Sequence, residues 1–408
     1  MSRIAPPALA WLRALREPEL ALGWDLAEWQ RVLRLSRRLR LLGRLAEAMV
    51  AADLLPRLPS QARPHLDAEL HYSRWRSRAL VWALERIAQA MGAATYPLVL
   101  LKGAAYMGQQ LPIAQGRLPS DVDILVPREF VADAQQRLVA AGWAEAELDA
   151  HDRHYYHALS HEVPPMRHPL HALELDLHHN ILPPVAHTRV DAALLLARLQ
   201  PSRWQPWQVL HPQDQLLHSA THLFHDSETR DRLRDLVDLD GLMRHFGQDP
   251  GFWDGLPARA LELGLSEPLA LACHFAGRWL ETPIPTDTLR QIEAAGPSAL
   301  RRAWLQPLFA SQLSATEPES QPPWRQGWAA QVLLVRYHYR RMPLRLLVPH
   351  LWHKMRAAKR ASIEDAAAPA AGAPTKSNGR FDYSQFIDLI VRHHSSSHCS
   401  SHCSLDQI

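Results

Sequence analysis

At 408 residues with 47% hydrophobic side chains, the chain is longer than one small core accommodates and reads as several subdomains. Its 45 basic and 42 acidic residues leave a net charge of +3, which excludes a field strong enough to bind nucleic acid or an anionic membrane by bulk charge. Three cysteines, Cys273, Cys399 and Cys403, exclude a disulfide framework; no apolar run approaches the roughly 18 residues of a spanning helix, and Arg13, Arg16 and Glu17 interrupt any secretory core, so a cytoplasmic location is expected.

Residues 1–94 carry helical periodicity broken at Pro56, Pro59 and Pro64, with Arg-rich faces such as EWQRVLRLSRRLRLLGRLAEAM, and predict a helical N-terminal region. The pattern then changes. YPLVLLKG, 96–103, reads as a buried strand entering a glycine turn, and AAYMGQQL as a helix. DVDILV is a second strand, followed by a helix over PREFVADAQQRLVAAG that Pro127 starts and Gly142 stops. RHYYHALS and HALELDLHHNI predict two further strands around HEVPPMRHP, so residues 95–185 form an α/β core. From Pro201 to about 300 the chain again reads as helical, with a cap domain expected over 186–300. Amphipathic helices are expected over 301–360, where the basic stretch near 340–360 leaves room for peripheral membrane or partner contact. The Ala/Pro and Ser/His/Cys stretch over 361–408 predicts disorder, with adventitious metal binding as its alternative.

Two aspartates lie one residue apart on the DVDILV strand. Residues i and i+2 of a strand share a face with Cα atoms about 6.5–7 Å apart, so Asp121 and Asp123 project side by side. Burying both unpaired is costly, and a divalent cation with oxygen ligands offsets that cost. Glu174, Asp176 and His178 share a face of ELDLHH, and either acid there can supply a third carboxylate. Gly103 stands where a strand meets a helix N-terminus, a place where a missing side chain lets phosphate approach backbone amides. Lys102, one of only four lysines, adds positive charge beside it. His222, His225 and Asp238 stand at helical spacing and read as packing and capping rather than a second metal site.

The order LLKGAAY, Arg117, SDVDILV, a helix ending in AAGW, then LELDLHH resembles the uncharacterised bacterial nucleotidyltransferase family of the DNA polymerase β-like superfamily. The resemblance covers roughly residues 30–245, including HLFHDSETRDRLRDLVDLDGL. It implies an α+β fold, with a small mixed-sheet core flanked by N- and C-terminal helical regions. It also implies Asp121 and Asp123 as ligands of Mg²⁺ or Mn²⁺, and Asp176 as the third carboxylate, which activates an acceptor hydroxyl. Lys102, Gly103, Ala104, Arg117 and Ser120 would line the nucleoside triphosphate pocket. The implied reaction transfers a nucleoside monophosphate to an acceptor (small molecule, glycan or protein) and releases pyrophosphate. Ala104 departs from the serine or second glycine usual after Gly103, and the interval from Gly103 to Asp121 is long. These departures motivate the alternatives: a binding protein of the same fold without turnover, or an antitoxin-like transferase that modifies a protein.

Overall fold

A computed structural model of the chain describes residues 7–146, 156, 159–225, 229–314, 324–343, 345–347 and 352. Met1–Arg341 forms one compact unit and Met342–Ile408 a second. Trp352 apart, the basic stretch beyond 347 and the tail for which disorder is expected lie outside the described residues.

Helix α1 (Leu26–Arg38) begins where the Asp25 carboxylate accepts the Glu28 amide at 2.7 Å, and it buries Trp29, Val32, Leu33 and Leu35. Helices α2 (Leu42–Ala51) and α3 (Arg63–Met91) follow. Pro64 occupies the first turn of α3, where its missing N–H would have had no helical partner.

Seven short strands then build one mixed sheet: β1 (Val99–Leu100), β2 (Asp121–Leu125), β3 (Ala144–Glu145), β4 (Met166–Arg167), β5 (Glu174–His178), β6 (Gln200–Pro201) and β7 (Gln208–Val209). Their spatial order is β3-β4-β5-β2-β1-β7-β6. β2 lies between β1, to which it is antiparallel, and β5, to which it is parallel. The parallel register sets Asp121 opposite Glu174 and Asp123 opposite Asp176. Val122, Ile124, Leu175 and Leu177 alternate with these acids and are fully buried, so one face of the two central strands is core and the other carries carboxylates.

Helix α4 (Lys102–Gly108) lies between β1 and β2, and α5 (Val131–Ala140) follows β2. The remainder is helical: α6 (Ala192–Leu196), α7 (Pro212–His225), α8 (Leu233–Phe246), α9 (Pro250–Glu262), α10 (Ser266–Trp279), α11 (Thr286–Ala295), α12 (Ala299–Leu313) and α13 (Trp324–Arg341). Buried apolar side chains from Trp11 to Leu333 join in one core, so the expected N-terminal, α/β, cap and C-terminal segments share it up to Arg341.

Three local expectations are corrected. The helix after β1 starts at Lys102, which places Gly103 inside its first turn rather than in a loop before it. RHYYHALS is helical at Tyr156 and Leu159 and irregular at Ser160, its three described residues, where a strand is expected. Beyond residue 199 the chain first forms β6 and β7 before turning helical, because two-residue strands beside Pro201 and Pro206 are too short to show periodicity.

Candidate active site

The carboxylate face of the sheet opens into a cavity of about 210 Å³. β2 and β5 supply its acidic wall with Asp121, Asp123 and Asp176, whose oxygens lie within 4.8 Å of one another. α7 supplies His218, Thr221, His222 and His225, the i, i+3, i+4, i+7 stripe of one helix face. α13 supplies Tyr337, Arg340 and Arg341.

Lys102 enters from the start of α4. Its φ of +43° is strained for a residue with a side chain, a cost of order 1–3 kcal/mol that concentrates at functional sites. Its Nζ donates to Asp123 Oδ1 at 2.9 Å, and His178 Nε2 meets the same oxygen at 3.1 Å. Ser120 Oγ donates to Asp121 Oδ1 at 3.1 Å.

These contacts divide the acids electrostatically. Burial alone would raise Asp123, but the charge of Lys102, together with hydrogen bonds and charge from His178, outweighs it and holds the carboxyl well below its usual range. Among the described residues no side chain donates a hydrogen bond to Asp176, and the charge of His178 lowers it only in part. Burial, then the charges of Asp123, Glu162 and Asp121, push it up to about 8. Burial opposes the charged form of Lys102, but Asp123 and Asp121 overcome that and raise it. The second carboxylate wall thus resists full ionisation until more positive charge is supplied. Three hard oxygen donors on adjacent strands are the set that Mg²⁺ or Mn²⁺ takes, so these residues fit such an ion.

Not every expected residue reaches the cavity. Arg117 is 8% exposed and donates through Nε to Asp238 Oδ2 at 3.0 Å, while Arg44 binds the other Asp238 oxygen. Its guanidinium lies 5.6 Å from the Tyr106 ring centroid. A Cβ on Gly103 would stand 2.2 Å from Arg117 Nη1, so the missing side chain makes room for this arginine. Gly103, Ala104 and Arg117 belong to the packing behind the cavity and do not line it; Ser120 touches it through Asp121. Asp238 is held between Arg117 and Arg44 and does not line the cavity that His222 and His225 reach.

The structure also adds residues that the strand pattern did not reveal. Glu162 pairs with His178 through a single antiparallel bridge and brings a fourth carboxylate to the cavity. His178 Nδ1 lies 3.4 Å from Glu162 Oε2, and His161, Glu162 and His178 form a second group with metal-binding spacing. Burial lowers His178, yet its bond to Asp123 and the charge of Glu162 prevail and raise it, so the two carboxylates beside it favour its charged form. Arg340 and Arg341 were equally unforeseen: their stretch reads as a basic helix, and nothing in its periodicity marks the face that turns inward.

A mixed sheet with acids paired in register on its two central strands, flanked by helices, is consistent with a nucleotidyltransferase domain. The family model of an uncharacterised nucleotidyltransferase matches residues 25–281, more than half of the 408, and the chain belongs to that family. No curated protein and no solved structure matches it. Lys102, the three aspartates, Glu162, His178 and the α7 histidines fall within the matched span; Tyr337, Arg340 and Arg341 fall beyond it.

Proposed function

We propose that the protein is a divalent-cation-dependent nucleotidyltransferase. It joins the nucleoside monophosphate of a triphosphate to an acceptor hydroxyl and releases pyrophosphate. The observation that carries this reading is the register of β2 and β5, which sets Asp123 beside Asp176 with Asp121 two residues away on the same face. Asp121, Asp123 and Asp176 would hold Mg²⁺ or Mn²⁺, which supplies positive charge to the phosphates when bound.

The remaining chemistry belongs to the chain. The acceptor oxygen attacks the α-phosphorus, the bond to pyrophosphate breaks, and the hydroxyl proton passes to the Asp176 carboxylate. In the metal-free chain burial and the charges of Asp123, Glu162 and Asp121 push Asp176 up, which marks its carboxylate as a proton acceptor. Lys102 carries its charge into the cavity beside the phosphates, and Ser120 orients Asp121. The α7 histidines wall the opposite side; burial holds His218 and His225 well below the usual imidazole range, so they stand as neutral walls.

A screen of the four nucleoside triphosphates with Mg²⁺ or Mn²⁺ tests the reading, with pyrophosphate release as its readout. Wild type should release pyrophosphate, and Asp121→Ala combined with Asp123→Ala should not; equal release from both sinks it. Labelled triphosphate incubated with a cell lysate then assigns the acceptor, as a labelled protein band or as a labelled small molecule or glycan.

A second reading draws on the Lys102 to Asp123 pair. An ammonium already seated on a ligand carboxylate competes with a cation, as expected of a triphosphate-binding protein without turnover. It predicts triphosphate binding that does not require Mg²⁺, with no pyrophosphate formed.

A further inference from the structure

Among the described residues, three guanidiniums, two of them from the end of α13, surround one carboxylate. Arg301, Arg336 and Arg340 all pair with one carboxylate, Glu267, with Arg336 Nη2 donating to Oε1 at 2.7 Å. Glu267 and Arg336 are nearly buried, and the Arg340 side chain is 14% exposed. Arg340 Nη2 donates to Thr188 Oγ1 at 3.0 Å, and its backbone carbonyl accepts the His187 amide at 2.9 Å, which fixes the arginine against the segment after β5. Arg340 Nε and Arg336 Nε are shielded from solvent and have no hydrogen-bond partner among the described residues.

A guanidinium cannot shed its proton to relieve such crowding, so what compensates it is an anion. Arg340 and Thr188 line the cavity whose other wall is the aspartate cluster. His225 lies nearby with Nε2 buried and unpartnered among the described residues, and it is held neutral by burial and then by Arg340, Arg336 and Arg301. A neutral imidazole there can donate to an oxyanion without adding charge.

We propose that Arg340 and Thr188, backed by Glu267, form a phosphate-binding subsite on the wall facing the carboxylates. The planar fork of Arg340 matches two oxygens of a phosphate group. Arg340 lies beyond the family-matched span, whereas Thr188 and Glu267 fall within it. The phosphate belongs either to the polyphosphate of the nucleotide or to a phosphorylated acceptor. That assignment rests on the nucleotidyl-transfer reading; the anion site itself does not.

The test is titration calorimetry of the full chain with inorganic phosphate, without metal and at constant ionic strength. Wild type should bind phosphate, Arg340→Met should bind about tenfold or more weakly, as loss of a charge-assisted hydrogen bond implies, and Arg340→Lys should recover part of the loss. Arg301 and Arg336 still serve Glu267 in Arg340→Met, and its melting curve reports that it is folded. Thr188→Val supplies a milder variant with a smaller loss in the same direction. Absence of binding to wild type, or equal affinity in wild type and Arg340→Met, overturns the subsite.

Repeating the titration with a non-hydrolysable triphosphate and Mg²⁺ present assigns the source. Displacement of phosphate marks the nucleotide's own tail, and simultaneous binding marks a phosphorylated acceptor; either outcome requires the subsite. Arg340-dependent binding in a protein that never releases pyrophosphate would leave the subsite standing and remove the transfer reading.

Discussion

At the scale of single residues, Asp176 decides how the site responds to pH. From the usual carboxylate range up to about 8 the folded chain keeps a proton on Asp176 that the unfolded chain has released, so this residue makes stability fall as pH rises through that window. Asp123 has the opposite shift: its contribution is already present above the usual carboxylate range and is lost only in acid. His178, shifted up, acts in the same sense as Asp176, whereas His161, shifted down, opposes it. Comparing wild type with Asp176→Asn removes these shared contributions. Between about pH 5 and pH 8 metal-free wild type should lose melting temperature relative to the variant, and Mg²⁺ should flatten the difference. Parallel curves without metal would contradict the assignment. Gly103→Ala makes a second residue-level prediction. The new Cβ meets a guanidinium that Asp238 and Tyr106 hold in place, so a loss of about 1–3 kcal/mol is expected in a urea titration, with an unchanged slope. The sequence shows Gly103 and Arg117 but not their contact, because the partner that fixes Arg117 lies 121 positions away.

At the scale of elements, the two central strands were readable and the outer ones were not. ELDLH alternates over all five residues and DVDIL over its first four, with buried apolar partners, enough to tell one face from the other. β6 and β7, of two residues each, have no period, and Glu162 joins the sheet through one bridge outside any named strand. The approach to β2 depends on a backbone contact with α2 that is equally invisible in sequence. Gly116, φ +65, lies so close to Gly43 that a Cβ on Gly43 would stand 2.3 Å from the Gly116 oxygen. Gly43→Ala must therefore push α2 away from the segment leading into β2, and it also disturbs the neighbouring Arg44, which binds Asp238. A loss of about 1–3 kcal/mol is expected, with faster hydrogen exchange at β2 amides than at α11 amides. Uniform acceleration in both would show that the contact does not act locally.

At the scale of the whole molecule, the family-matched span is not the structural unit. Phe309 of α12 packs edge-to-face on Phe224 of α7 at 5.1 Å, and Leu305, Phe309 and Leu333 are buried in the common core. A chain cut after residue 281 would leave the faces of α7 and α10 uncovered. It should bind a hydrophobic dye and lack the cooperative melting of the intact protein; a sharp transition near the intact value would show that the matched span folds alone. Position in sequence also sets a timetable for synthesis. The aspartates leave the ribosome long before α13 does: at about 5–20 residues per second, Arg341 emerges roughly 8–33 s after Asp176. Until then the nascent polypeptide has its acidic strands and Lys102 but not the guanidiniums of α13, and the chamber gains that second source of positive charge only when translation has passed the last turn of that helix.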